Sequence, residues 1–379
     1  MRPICILIVS VFLLIPGTGV CQEEMRPSVT SIAQNDHGES ILLRDGRPWF
    51  RAGYFMPPNY SADELEHMVR LLAGGGFNHM HARPMGVTAA DFAQWLSLAE
   101  SLDVSVAYSL HNIEPDVVRE VVSTWSDHPA IGCWYVDDVH AFSSEQLQAL
   151  YDQIAALDPT RATDWSGGWR TDLATYLPTC DVFHRQFYPI WETDDGRNHA
   201  RMYDTYNEAK ALVQMANQTE TVPGMDLQGA YSRDGIDFWP NAEETDLMFY
   251  MSAMAGIKGA RWYPFGDLEG SEVWQQTQLI AAELNSGLGD AFLLGKRTDG
   301  ALSRHVFYGT WEHDGDVYVI VCNANDEESE PLSVQTPAGA TDLNTLFEYR
   351  SSSLTMTDGA LAGTLPPLTV EIYRGRAGG

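Results

Sequence analysis

Acidic residues that close an apolar run come first, because a strand ending in a carboxylate can aim that group at a ligand. Residues 128–139, His-Pro-Ala-Ile-Gly-Cys-Trp-Tyr-Val-Asp-Asp-Val, end in this way at Asp137 and Asp138. Strand neighbours point to opposite faces, so only one of the two can face into a site while the other supports the loop. A carboxylic acid flanked by Trp134 and Tyr135 can have its pKa raised enough to protonate a leaving group. The plainer reading is that both acids cap the next helix or form a salt bridge. Two other apolar runs carry acids near their ends: Asp164 before Trp165, and Asp226 in Met225-Asp-Leu-Gln-Gly229. Asp226 and Gln228 share a face, and Gln228 can hydrogen-bond a hydroxyl but cannot act as a nucleophile.

Such groups need a scaffold. From about residue 41 to 289 short apolar runs alternate with amphipathic segments, the pattern of β/α repeats around a parallel sheet. The strand candidates are residues 49–55, 77–83, 104–110, 131–136, 161–165, 182–188, 221–228 and 259–265. Ser61, Thr88, Ser143 or Ser144, and Asn241 supply helix caps between them. Eight strands over this length predict an α/β fold, a (β/α)8 TIM barrel, with its chemistry at the C-terminal strand ends. A doubly wound sheet would carry a Gly-rich turn after the first strand, and Tyr54-Phe-Met-Pro-Pro58 is nothing like one. After about residue 295 short strands with turn residues such as His313-Asp-Gly-Asp316 predict a small all-β sandwich. These strands are placed at 304–311, 317–323, 332–335, 344–349, 353–357 and 368–373. The predicted organisation is a signal peptide at 1–21, the barrel at 22–294 and the sandwich at 295–379.

Other strand ends are rich in groups that suit polyols. His79, His81 and Arg83 share a face on the second strand, and Arg83 suits a carboxylate or sulfate. His111, Asn112 and Glu114 follow the third, Asp164 and Trp165 end the fifth, and His184, Arg185, Gln186 and Tyr188 lie on the sixth. Arg261, Tyr263 and Asp267 belong to the eighth. A single histidine in such a place is more often a satisfied structural residue; several on one rim are harder to explain that way. Trp165, Trp169, Trp191 and Trp262 can stack on sugar rings or pack between barrel and helices. Glu243 and Glu244 start a helix and read as caps. His79-x-His81 is a weak zinc pattern without a His-Glu-x-x-His motif or a calcium loop, so no metal and no cofactor is expected. Asp194-Asp195 and the acidic run 326–330 read as solvated surface.

The 379 residues hold 23 Lys+Arg against 52 Asp+Glu, a formal net charge of −29. That sign imbalance repels phosphate and acidic lipid, which argues against nucleic acid or a polybasic membrane patch as partner. With 44% hydrophobic residues the chain has material for a large core. Arg2, an apolar run over residues 4–15, Pro16 and small residues at 17–19 read as a secretory signal, too short for a permanent membrane span. The expected location is secreted or periplasmic. A lipid anchor at Cys21 is less favoured, because Val20 is a poor residue before a lipid-bearing cysteine. Cleavage after Cys21 leaves Cys133, Cys180 and Cys322, enough for at most one disulfide.

The segment 128–139 resembles the fourth-strand region of barrel glycoside hydrolases of clan A, with its His-Pro-Ala lead, Gly-x-Trp-Tyr strand and acidic pair. Trp239-Pro-Asn-Ala-Glu-Glu-Thr245 and Ala253-Met-Ala-Gly-Ile-Lys-Gly-Ala-Arg-Trp-Tyr263 resemble their seventh helix and eighth strand. Pro366-Pro-Leu-Thr-Val-Glu-Ile-Tyr373 resembles the closing strand of their C-terminal sandwich. The resemblance implies a secreted glycosidase acting on a poly- or oligosaccharide, with Asp138 in the acid/base place where Glu is usual and Val139 in place of Pro. The Glu nucleophile of the seventh strand is missing, which leaves Asp226 or Asp164 as the second carboxylate. The expected sugar-binding set is Asp137, His79, Arg83, His111, Asn112, Trp165, His184, Tyr188, Gln228 and Tyr263. Two aspartates leave a wider gap than two glutamates, which favours inversion with a water between them. Two other readings compete. One is a polysaccharide lyase, with His111, His184 or Tyr188 as base and Arg83 or Arg185 on a uronate. The other is a carbohydrate-binding barrel without catalysis.

Overall fold

The computed structural model describes residues 28–56, 61–168, 171–193, 196–199, 201–233, 236–264, 269–337, 340–350 and 352–378. The expected signal segment, Trp169, Asp194, Asp195 and Asp267 lie outside the described residues. Each of the eight apolar runs forms a strand: β1 (Arg51–Phe55), β2 (His79–Ala82), β3 (Ser105–Ser109), β4 (Ile131–Val136), β5 (Ala162–Gly168), β6 (Val182–Phe187), β7 (Val222–Gln228) and β8 (Gly259–Tyr263). They pair in parallel and in chain order, and β8 returns to β1 to close a barrel.

The helices start where side chains can satisfy their first backbone N–H groups. Ser61, Ser143 and Asn241 form reciprocal capping boxes with Glu64, Gln146 and Glu244, and Thr88 accepts the N–H of Asp91. Glu244 is thus a cap. Alternation along the strands sends Tyr54, Met80, Trp134, Trp165, Phe183, Leu227 and Trp262 outward into the apolar layer under the helices. Burying an apolar side chain of this class contributes about 1.5–3 kcal/mol. Opposite the strand ends, a hairpin of Thr30–Gln34 and Ser40–Arg44 covers the barrel floor. Leu42 and Trp49 pack there on Ala162, Val182 and Val222. Thr30 Oγ1 donates to the Gly132 carbonyl at 2.9 Å and accepts from the Ala162 N–H at 2.8 Å, pinning the plug.

The last barrel-side helix, Gly289–Leu294, leads directly into β9 (Lys296–Ala301). There follow β10 (Val306–His313), β11 (Asp316–Asn323), β12 (Glu330–Gln335), β13 (Thr341–Thr345), β14 (Leu354–Thr357), β15 (Ala360–Leu365) and β16 (Thr369–Arg376). They form two antiparallel sheets, in the orders β9-β10-β11-β16-β13 and β12-β15-β14. Val306, Val319 and Val321 of the larger sheet share one apolar cluster with Leu332, Val334 and Leu361 of the smaller. Phe307, Ile320 and Ile372 belong instead to the main core, with Met248 and Met251. Those methionines lie on helix Ala242–Ala255, every residue of which from Glu244 onward is buried except Asp246. Arg350 ties the same seam, bonding Asp246 at 2.7 Å and the carboxylate of Glu283. Strands β9 and β15 escape sequence prediction because Lys-Arg-Thr-Asp-Gly-Ala and Ala-Leu-Ala-Gly-Thr-Leu lack strong strand formers; neighbours impose their conformation.

Candidate active site

Residues of one parity on each strand fill the barrel, and here the filling is polar rather than the usual branched apolar set. In the lower layer Asp164 is wholly buried, and both its oxygens are occupied. Oδ2 accepts from Arg51 Nη1 at 2.7 Å and Arg261 Nη1 at 3.1 Å, and Oδ1 meets His184 Nδ1 at 3.0 Å. Burial alone would push the Asp164 pKa up, but the two guanidiniums and His184 together hold it well below the usual carboxylate range. Gly224 makes room for this: a Cβ there would lie 2.4 Å from His184 Nε2. His79 and His81 are also buried, and their pKa values fall well below normal, first through desolvation and then through the nearby arginines. They are therefore neutral imidazoles.

The upper layer opens at the strand ends. Asp226 on β7 accepts from Arg261 Nε at 2.8 Å and Nη2 at 3.3 Å, and from the Ser166 hydroxyl. Across the barrel, Asp137 follows β4 in the parity of Cys133 and Tyr135 and turns inward. A single oxygen of Asp137 accepts from Tyr135 Oη at 2.9 Å, Gln186 Nε2 at 2.9 Å and the Asp138 N–H at 3.0 Å. Gln186 also donates to Ser166 Oγ at 3.1 Å, so one amide and one hydroxyl bridge the two carboxylates. Desolvation, then the charges of Asp138 and Asp226, raise the Asp137 pKa to about 6. Tyr188 and Tyr263 stack beside them, ring centroids 6.0 Å apart and planes 15° from parallel, with Tyr263 41% exposed.

No protein-family model matches the sequence, and no curated protein matches it. Solved structures do match in three dimensions. The structure of AmyP in complex with maltose superposes with a TM-score of 0.61 at 9% identity, over 87% of this chain and 97% of that one. The α-amylase of Geobacillus thermoleovorans complexed with acarbose gives 0.58 at 12% identity, over 86% and 98%. The β-D-glucuronidase of Dictyoglomus thermophilum gives 0.50 at 14% identity, over 68% of this chain and 54% of its own. The likeness is one of fold.

Against that fold, the residues singled out from sequence separate into three groups. Asp137, Tyr188 and Tyr263 gather at the strand ends, and Asp226, joined to Asp137 through Gln186 and Ser166, is wholly buried with both oxygens bonded. Asp138 stands apart from them: the residue adopts a left-handed backbone (φ 48°), its side chain is 59% exposed, and His140 Nδ1 lies 3.9 Å from its carboxylate. His111 and Asn112 are exposed on the loop after β3, where Asn112 accepts the Glu114 N–H at 2.9 Å. Arg83 stands half-buried at the end of β2. The remaining expectations are corrected. Asp164, His79 and His184 lie wholly buried in the lower layer, where Asp164 is bound to Arg51, Arg261 and His184. Trp165 has the opposite parity to Asp164 and packs under the helices. Gln228 spends its amide on the loop after β6, accepting the Ile190 N–H at 3.1 Å and donating to its carbonyl at 2.8 Å. Arg185 faces outward and pairs with Glu208 at 2.9 Å.

Two of the three candidate lyase bases fare no better. His184 is sealed below, and Tyr188 is kept protonated, its pKa raised well above normal by burial and then by Asp226 and Asp137. Arg51 and Ser166 carry essential bonds that sequence reasoning missed. Ser166 was open to inference, since it shares the parity of Asp164. Nothing local marks Arg51, which becomes a core ion only when β1 meets β5 across the barrel. Among the described residues one donor set has the spacing of a metal site: His79, Cys133 and Asp164 offer atoms within 4.8 Å of one another. Arg51 Nη1 already occupies that position, 2.7 Å from Asp164 Oδ2 and 3.3 Å from Cys133 Sγ. Burial pushes the Cys133 thiol up to about 12, so it is protonated, and two guanidiniums would oppose a cation. The residues present do not fit a metal.

Proposed function

We propose that the protein is an exported glycoside hydrolase that cleaves glycosidic bonds in an oligo- or polysaccharide, with Asp137 as proton donor and Asp226 as second carboxylate. One observation carries this reading: two aspartates on β4 and β7, joined through Gln186 and Ser166, sit in opposite surroundings. Asp137 is desolvated and faces other acids, with its pKa raised to about 6, the state of a carboxylic acid able to protonate a leaving oxygen. Asp226 is bound by a guanidinium and a hydroxyl, the setting of a carboxylate that attacks or activates water. Asp137 takes the donor role in place of Asp138 because it alone of the pair faces the opening. The Tyr188–Tyr263 stack offers an aromatic face for a sugar ring. The fold shared with AmyP in its maltose complex and with an α-amylase in its acarbose complex supports the reading, and residues 1–21 supply the export signal.

The test is release of reducing ends from a panel of polysaccharides and aryl glycosides. Asp137→Asn and Asp226→Asn should each lower kcat/KM by about 10²–10⁴-fold, the range for a positioned acid or base, while Asp138→Asn changes it little. Full activity in both of the first two variants, or turnover of nothing on the panel, would refute the assignment.

A further inference from the structure

Arg83 is the exception among the cations of this chain. Acidic residues outnumber basic ones 52 to 23, and among the described residues carboxylates bind nearly every other partly or fully buried arginine or lysine. Arg83 is half-buried, and among the described residues it has neither an ion pair nor a side-chain hydrogen bond; its Nε is fully covered yet unpartnered. Its surroundings explain the lack. Together with Met56, Leu65, Val87 and Phe92 it lines a small recess whose other side chains are apolar. A guanidinium does not escape by losing its proton, so the charge persists and its N–H groups await an oxygen.

Its position suits a ligand-binding residue. Arg83 directly follows β2, at the barrel end that holds the carboxylate pair. The His81 ring packs 4.2 Å from that of Tyr135, whose hydroxyl binds Asp137, so Arg83 stands on the same rim two strands round from the proposed proton donor.

We propose that Arg83 binds an oxyanion carried by the substrate, a uronate carboxylate or a sulfate ester, in a subsite beside the one where the bond is cleaved. The proposal rests on the carbohydrate reading above and narrows it from glycans in general to acidic ones. A planar fork of N–H donors matches either anion, and a charge-assisted bond over an apolar recess is stronger than one in open water. The excess of acidic residues then makes Arg83 selective, because it repels an anionic sugar elsewhere.

The experiment is calorimetric binding to the full-length protein, which needs no turnover and so stands apart from the hydrolase assignment. Three tetrasaccharide sets are compared: uronate-bearing, sulfate-bearing and neutral. The wild type should bind one anionic set at least about tenfold tighter than the neutral set, and high salt should erode the difference. Which anionic set is preferred identifies the anion. Arg83→Met should abolish the preference, and Arg83→Lys should restore part of it. Equal affinity of the wild type for all three sets, or no binding of any, overturns the proposal without recourse to a variant. So does an Arg83→Met protein that keeps its melting temperature and its preference.

Discussion

Replacing Asp137 by asparagine should strengthen the fold at neutral pH while removing the proposed proton donor. The three hydrogen bonds to Asp137, from Tyr135, Gln186 and the Asp138 N–H, all converge on one oxygen, which an asparagine carbonyl can retain. What the substitution removes is a charge that the folded state disfavours. The pKa rises from 3.8 in the free side chain to about 6 in the fold, so the native protein keeps a proton that the unfolded chain has already lost. Stability therefore falls as pH rises through this window, by at most about 3 kcal/mol at 1.36 kcal/mol per pKa unit. Asparagine pays no such cost. With roughly 2.1 cal/mol/K of unfolding entropy per residue, a chain of this length gains at most about 4 °C. Thermal melts of wild type and Asp137→Asn should nearly coincide below pH 4 and separate by pH 8, with the variant higher. A constant offset across that range, or a lower melting point for the variant at pH 8, would refute the electrostatic account of Asp137.

Other perturbations probe the surrounding network. Arg261→Met leaves Asp226 and one oxygen of Asp164 short of their buried partner and should cost about 3–5 kcal/mol in urea unfolding. Gly224→Ala drives a methyl to 2.4 Å from His184 and should cost about 1–3 kcal/mol, read as a lower urea midpoint with an unchanged slope. His199 sets Nε2 against Glu244 at 2.5 Å and Nδ1 against Asp326 at 2.9 Å, so both ring nitrogens must donate and the ring is an imidazolium. Its pKa is raised, first by the Glu244 bond, so its contribution is complete below the free value of 6.5 and disappears as pH climbs through the raised one. His199→Ala should accordingly lower the melting temperature more at pH 6 than at pH 9.

The barrel was legible because its strands are short, apolar and regularly spaced, and because Ser61, Thr88, Ser143 and Asn241 mark helix starts by a local mechanism. The floor hairpin was not, since residues 30–44 mix polar and apolar types and gain their order from the barrel they cover. The site was half legible. Cys133, Tyr135 and Asp137 share a parity that selects Asp137 as the inward acid, and the same rule sends Trp165 outward once Asp164 is known to face in. Resemblance had drawn attention to Asp138 instead. Partner choice was beyond reach: nothing near Asp164 in sequence reveals that Arg51 and Arg261, 113 and 97 residues away, would both bind its Oδ2.

From Glu244 onward helix Ala242–Ala255 is buried at every residue but Asp246, because the barrel covers one flank and the larger sheet of the sandwich the other. The sandwich is therefore the outer wall of one barrel segment as well as a unit that follows it. A chain cut at Gly295 would bare a methionine-rich flank and strand Asp246 and Glu283 without Arg350. Such a fragment should precipitate on expression. Recombination in evolution, or a designer grafting this barrel onto another module, would have to carry both pieces across together, whereas the surface hairpins offer seams at which foreign sequence can be inserted.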